Sequence, residues 1–299
     1  MKYSRLGKTE LSVSRLGFGG AEIGNEKATQ ETVTTLLNSA IDAGLNLVDT
    51  AAAYWSSEEM IGNAISDRRK EIVLLSKCGA LDGFTKNDWS KKGIVETIER
   101  SLKLLRTDYL DVAQLHSCDS KTLQRGDCVE GLIRAQERGL TRFVGYSGDG
   151  VDAKFAIEMD FFDTLQTSVS IADQEAIELT IPLAKEKEMG VIAKRPIANA
   201  VWRHDSKPDE PYHHEYWERI ETLQYDFLEG DLSESVAKAL KFTLAVDGVT
   251  TAIVGTTNPN RWKQNAETLE QIDFSADDFL RIRERWQEIS EGKDWSGQV

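Results

Sequence analysis

The sequence predicts an α/β fold: a single (βα)₈ TIM barrel, with an N-terminal β-hairpin and an extra C-terminal helix. Three observations carry this. Short apolar runs alternate with helix-patterned segments eight times over 299 residues, the signature of strands covered by helices. With 5 proline and 22 glycine residues, no linker-like stretch divides the chain, so residues 1–299 read as one domain. Four titratable residues, Asp49, Tyr54, Lys77 and His116, fall in order where three successive apolar runs give way to loops. That is where chemistry collects on one rim of a parallel barrel. A doubly wound open sheet is the runner-up, but Gly17, Gly19 and Gly20 after the first run lack G-x-G-x-x-G spacing.

In chain order, residues 3–6 and 11–14 flank a turn and read as the hairpin. The first barrel strand lies over 15–19. A helix covers 30–43, with Val33, Leu36, Leu37, Ala40 and Ile41 on one face, and Gly44 suits its C-terminal cap. The second strand is 45–49, followed by a short helix to Ala64 with Ser57 as N-cap. Strand three, 71–77, ends at Lys77; a helix over 91–105 follows; strand four, 109–116, ends at His116. One helix over 123–137, capped by Gly139, precedes strand five at 141–147. Strand six is 162–166, a helix spans 182–188, and strand seven is 191–194. A long polar insert runs from about 199 to 231. A helix over 233–246 leads to strand eight at 249–254, a loop at 255–258, a helix to 269 and the final helix at 276–289.

The formal net charge is −14, from 50 acidic and 36 basic residues, which opposes attraction to nucleic acid or an anionic membrane. Three cysteines in so long a chain form no disulfide framework and suggest a reducing compartment. No apolar signal core opens the chain and no run is long enough to span a bilayer. A cytoplasmic location and a small-molecule substrate are therefore expected; the composition fixes no oligomeric state.

Tyr54 is the candidate acid. A free phenol titrates near ~10, and a neighbouring Lys77 ammonium lowers that value. Asp49 pairs with Lys77 and orients it, while His116 hydrogen-bonds a substrate carbonyl oxygen. Together they would deliver a proton to a developing alkoxide. No side chain supplies a hydride, so carbonyl reduction needs a cofactor. Each residue alone reads more plainly as structure: an aspartate capping a turn, a tyrosine packing among alanines. Four of them at consecutive rim positions weigh against that reading.

These residues carry a resemblance. Residues 46–54, Asn-Leu-Val-Asp-Thr-Ala-Ala-Ala-Tyr, resemble the Asp-Thr-Ala-x-x-Tyr signature of the aldo-keto reductases, and residues 6–19 are similar to that family's opening. Lys77 and His116 fall where the family has its catalytic lysine and histidine. The resemblance implies a TIM barrel that binds a nicotinamide cofactor without a Rossmann domain, with Asp49, Tyr54, Lys77 and His116 as the tetrad. It implies that Ser147 and Gln166 hold the carboxamide, with Gly148 where the family has asparagine. Lys194, beside Arg195, takes the place of an aromatic that stacks on the nicotinamide. Residues 253–265 resemble the adenosine-phosphate site, in which Gly255, Thr256 and Thr257 form the loop. Arg261 meets the 2′-phosphate, and Gln264 and Asn265 the adenine side. Many relatives carry lysine at the position of Gly255. NADP(H) is implied as cofactor, with NAD(H) second.

The implied function is NADPH-dependent reduction of an aldehyde or ketone to an alcohol. The alternatives are a sugar or alcohol dehydrogenase on the same site and a non-catalytic, cofactor-sensing binding subunit; the complete tetrad favours the enzyme. Trp55, Trp89, Cys118 and Trp202 are the candidate substrate-pocket residues. A zinc reading of His116, Cys118 and Cys128 fails on spacing, and His213-His214 reads as a solvated loop, so no metal is expected.

Overall fold

The computed structural model describes residues 1–25 and 28–297. Eight parallel strands close into a barrel in chain order: β1 (Leu16–Gly19), β2 (Leu47–Asp49), β3 (Val73–Cys78), β4 (Leu110–His116), β5 (Thr141–Ser147), β6 (Thr164–Ser168), β7 (Gly190–Lys194) and β8 (Val249–Val254). β2, β3, β4, β6 and β8 are buried along their whole length, because helices cover the barrel outside and side chains fill it inside.

Alternation along the strands explains the rim. Leu47, Val73, Leu75, Val112, Ile192 and Ile253 share one apolar cluster with Leu6, Leu11 and Val13 of the N-terminal hairpin (Tyr3–Arg5 paired with Ser12–Ser14). The hairpin therefore plugs the barrel floor. Two residues beyond Leu47 is Asp49; two beyond Leu75 is Lys77; two and four beyond Val112 are Gln114 and His116. A period of two keeps them on the same inner face, so the filling turns from apolar at the floor to polar at the rim. Gly7 lets the hairpin seat: at φ +56°, a Cβ on it would lie 2.2 Å from the Gly190 nitrogen.

Several helices start where short polar side chains cap them. Thr29, Ser90 and Asp231 accept first-turn backbone N–H groups, and Ser275 with Asp278 forms a reciprocal capping box. Several elements differ from the sequence reading. Helix 123–137 is two helices, Ser120–Arg125 and Asp127–Glu137, broken at Gly126 with φ +82°. The 182–188 segment belongs to a pair, Glu175–Leu179 and Ile181–Glu186. β6 lies two residues later than expected, and residue 71 belongs to a 3₁₀ turn rather than to β3. Ser57 caps nothing: its hydroxyl donates to the Gly20 carbonyl and contacts Thr50. Helices Ala21–Asn25 and Gly150–Glu158 and a small hairpin, Ala80–Leu81 with Lys86–Asn87, were not foreseen.

The polar insert is more than a loop. It contains helix His214–Leu223, whose Tyr216, Ile220 and Leu223 are buried against Ile282 and Trp286 of the final helix, Ala276–Ser290. Their spacing makes a narrow apolar stripe among charged residues. Beneath it lies Asp173, whose Oδ2 accepts from Tyr216 at 2.9 Å while Oδ1 has no hydrogen-bond partner among the described residues. Burial pushes its carboxyl up to about 7, with Asp149 adding to the rise and Arg219 opposing it. The folded protein thus holds this proton more tightly than the unfolded chain, whose ordinary value is 3.8. The associated stability is present in full below that ordinary value and is lost as pH rises through 7. Asp173→Asn keeps an acceptor for Tyr216 and removes the titration. Between pH 4 and 7 wild type should lose stability relative to the variant by up to about 1.4 kcal/mol per pH unit. Thermal or urea unfolding across that range reads this directly; parallel curves would refute it.

Candidate active site at the barrel rim

Lys77 and Asp49 are both 1% exposed. Lys77 Nζ donates to Asp49 Oδ2 at 2.6 Å and to the Thr50 carbonyl at 3.1 Å. Burial alone would lower the lysine; Asp49 and Tyr54 together outweigh it, and Lys77 titrates above its ordinary value. The loop after β2 brings Tyr54 back over this pair. Thr50 and Ala52 donate to the β3 carbonyls of Leu75 and Lys77, and Tyr54 closes a turn on Ala51. Lys77 Nζ sits 5.0 Å from the Tyr54 ring centroid. The Tyr54 hydroxyl is 3.5 Å from His116 Nε2, with the rings edge to face at 5.4 Å.

Burial pushes the Tyr54 phenol up, and Asp49 adds to the rise, against the downward pull of Lys77. Lys77 thus acts with the expected sign, yet the net direction is the opposite of the expected one: desolvation is the larger effect. His116 lies well below its ordinary value, driven first by burial and then by Lys77, Lys194 and Arg195. It is a neutral imidazole at neutral pH, and its buried Nδ1 has no hydrogen-bond partner among the described residues.

Sequence reasoning missed Gln114. Its Nε2 donates to Asp49 Oδ1 at 3.2 Å and to Gln166 Oε1 at 2.9 Å, and Gln166 Nε2 donates to Asp49 Oδ2 at 3.2 Å. Gln166 is engaged with the carboxylate that positions Lys77. The available signal was a lone amide on an apolar strand, two residues before His116 on the same face. Asp149 was missed as well. It is buried and its carboxylate pairs with Lys194 Nζ at 2.8 Å. It also accepts from the Thr167 hydroxyl and the Ser168 backbone. Burial lowers Lys194 against the pull of Asp149. Arg195 donates to Tyr212 and Ser168.

Ser147 ends β5, buried. Gly148 follows because Tyr146 leaves no room: a Cβ there would lie 2.7 Å from the Tyr146 ring, whose hydroxyl is tied to the Cys118 carbonyl at 2.6 Å. A Cβ on Gly255 would meet the Glu22 carboxylate, the mobile end of a long side chain. The Gly255–Thr257 loop leads into helix Arg261–Gln271, where Arg261 is half-buried, Gln264 exposed and Asn265 half-buried. Arg261 makes no ion pair among the described residues.

A cleft of about 480 Å³ opens beside His116, walled by Phe84, Trp89, Ser117, Thr122 and Arg125. The Phe84 ring packs 4.6 Å from the His116 ring. Of the pocket candidates, Trp89 lines this cleft and lies against Gly79. Trp55 is 57% exposed and leans on Gly83 instead. Trp202 donates to Ser235 and packs on the core; Cys118 is buried below the cleft wall. His213 and His214 bond separately, to Asn199 and the Pro208 carbonyl. Among the described residues no group of three His, Cys, Asp or Glu is set to hold a metal ion, and no helix is long and apolar enough to cross a membrane.

Residues 15–287 match the Aldo/keto reductase family. The chain is 29% identical to the oxidoreductase YqkF of Bacillus subtilis (strain 168) over 287 residues, covering 89% of this chain and 90% of that protein. It resembles an aldo-keto reductase from Bacillus halodurans, solved in its holo form, with a TM-score of 0.81 and 27% identity over 95% of this chain and 96% of that one. An aldo-keto reductase from Klebsiella pneumoniae, solved in complex with NADPH, shares the fold with a TM-score of 0.74 and 24% identity over 95% and 94% of the two chains. The family match runs from the residue before β1 into the final helix, and on that ground the chain belongs to the aldo/keto reductase family.

Proposed function

We propose that this protein is an NADPH-dependent oxidoreductase that reduces an aldehyde or ketone to an alcohol, with residues 1–299 acting as one domain and Tyr54 as the general acid. The observation that carries this is the buried Lys77–Asp49 pair at 2.6 Å, set beside a tyrosine hydroxyl that lies 3.5 Å from a neutral histidine. The Tyr54 hydroxyl keeps its proton at neutral pH because burial raises it. As negative charge grows on the carbonyl oxygen, the Lys77 charge favours release of that proton toward it. His116, neutral, donates one N–H to the same oxygen and fixes its position. Gln114 and Gln166 hold the Asp49 carboxylate, and through it the direction of Lys77 Nζ.

The residues present fit a dinucleotide. Arg261 is a guanidinium with no carboxylate partner among the described residues, at the N-terminus of the helix after β8, a place suited to a phosphate. Lys194 and Arg195 share the single Asp149 carboxylate, which leaves net positive charge at the rim. By the family resemblance, Ser147 and Gln166 would hold the carboxamide, Thr256 and Thr257 the loop contact, and Gln264 and Asn265 the adenine side. Bound NADPH would supply the hydride; the chain supplies the proton and the alignment. The Klebsiella relative in complex with NADPH supports the choice of nucleotide.

The test follows the nicotinamide absorbance with NADPH or NADH and a panel of aldehydes, ketones and sugars. NADPH should be consumed with at least one carbonyl compound. Arg261→Ala should weaken NADPH by roughly 1.5–3 kcal/mol and NADH far less. An equal loss for both nucleotides would remove Arg261 from the 2′-phosphate, and no turnover with any carbonyl would end the functional reading.

A further inference from the structure

The thiols of Cys118 and Cys128 lie 4.0 Å apart, and nothing in the proposed chemistry uses them. Cys118 sits two residues beyond His116, in the loop leaving β4, and Tyr146 anchors its carbonyl. Cys128 is the second residue of helix Asp127–Glu137, where backbone N–H groups point at the first turn. Between them run the six-residue helix Ser120–Arg125 and Gly126. That helix supplies Thr122 and Arg125 to the cleft beside His116. Both thiols are buried, so a reagent reaches them only when the segment between them, which the left-handed Gly126 divides from the following helix, opens. Short, locally held segments of this kind open more readily than the barrel.

The two sulfurs are not equivalent. The two thiols share one hydrogen-bond contact, in which either sulfur can donate, and Cys128 also lies 3.9 Å from the Thr122 carbonyl. The thiol–thiol contact and the helix N–H groups hold the Cys128 thiol below its ordinary value, while Cys118 is pushed up. A thiol favoured as thiolate at a helix N-terminus, with a second thiol in reach, has the arrangement of an attacking and a resolving cysteine. The third cysteine, Cys78, is buried at the end of β3, bonded to the Gln114 carbonyl and pushed up by burial.

We infer that Cys118 and Cys128 form a reversible disulfide site in the wall of the cleft beside His116, oxidised by small hydroperoxides. The Cys128 thiolate attacks one peroxide oxygen: an S–O bond forms, the O–O bond breaks, and the departing oxygen leaves as water or alcohol after taking up a proton. The Cys118 sulfur then attacks the Cys128 sulfenic acid. The S–S bond forms, the S–O bond breaks, and water leaves with the Cys118 proton. Two thiols are oxidised and one peroxide is reduced. Bond formation at ~2.05 Å requires the sulfurs to close the remaining gap, which draws the loop after His116 toward helix Asp127–Glu137.

The experiment treats the folded, reduced protein with hydrogen peroxide, blocks free thiols with an alkylating agent under denaturing conditions, and maps the peptides. A Cys118–Cys128 cross-link that dithiothreitol reverses is expected, with Cys78 alkylated. Cys78→Ser should leave the cross-link unchanged. Cys118→Ser should halt at a Cys128 sulfenic acid, trapped by dimedone, and Cys128→Ser should slow Cys118 oxidation at least tenfold. Free Cys118 and Cys128 after treatment, or a cross-link through Cys78, would overturn the inference. Because the readout is covalent, it stands or falls separately from carbonyl reduction.

Discussion

Tyr54→Phe is expected to lower carbonyl reduction by ~10²–10⁴-fold and to leave NADPH binding nearly unchanged. The substitution keeps the ring, its edge contact with His116 and the backbone turn on Ala51. Only the hydroxyl, which lies 3.5 Å from His116 Nε2, is lost. The pH profile gives a second signature. Burial raises the Tyr54 phenol above its ordinary value of 10.0, so the acid stays protonated through the neutral range and the wild-type rate should fall only in alkali. In Tyr54→Phe the residual rate should lack that alkaline fall. Single-turnover reduction of an activated aldehyde isolates the chemical step. If Tyr54→Phe keeps most of the wild-type rate under those conditions, the acid is another group.

The rim was legible in the sequence where one strand sufficed to place a residue. Asp49, Lys77 and His116 each end an apolar run, and the period of two puts them on the inner face with Leu47, Leu75 and Val112 beneath. Tyr54 needed only a short loop. Residues whose placement depends on a distant partner were read less fully. Lys194 looked like a cation lying against a cofactor ring; the fold pairs it with Asp149 from the loop after β5. Gln166 was read as a cofactor contact, and its bonds to Asp49 and Gln114 arise only when β2, β4 and β6 converge inside the barrel. Helix 123–137 has continuous helical spacing, but one left-handed glycine at 126 divides it. The insert around 199–231 is rich in charge, which hid the narrow Tyr216–Ile220–Leu223 stripe that the final helix covers.

Lys77→Met should be the most damaging single change to stability as well as to catalysis. It leaves the Asp49 carboxylate, 1% exposed, with only the neutral amides of Gln114 and Gln166 as side-chain donors among the described residues. Removing one partner of a buried ion pair costs about 3–5 kcal/mol, because the remaining charge has lost its solvation and its counterion. Changing both partners removes that charge, so Lys77→Met with Asp49→Asn should recover most of the loss. Activity should follow a different course. Without Lys77 the phenol loses the charge that opposes burial, Tyr54 rises further, and proton delivery fails whether or not Asp49 is ionised. The double variant should therefore be nearly as stable as wild type and as inactive as Lys77→Met alone. Adding Tyr54→Phe should lower the rate little more, since one proton-donating unit is already disabled. Urea unfolding at neutral pH and single-turnover reduction, run on the same samples, separate the two roles. Should the double variant regain its rate with its stability, Lys77 serves only to neutralise Asp49, and the electrostatic control of Tyr54 proposed here is wrong.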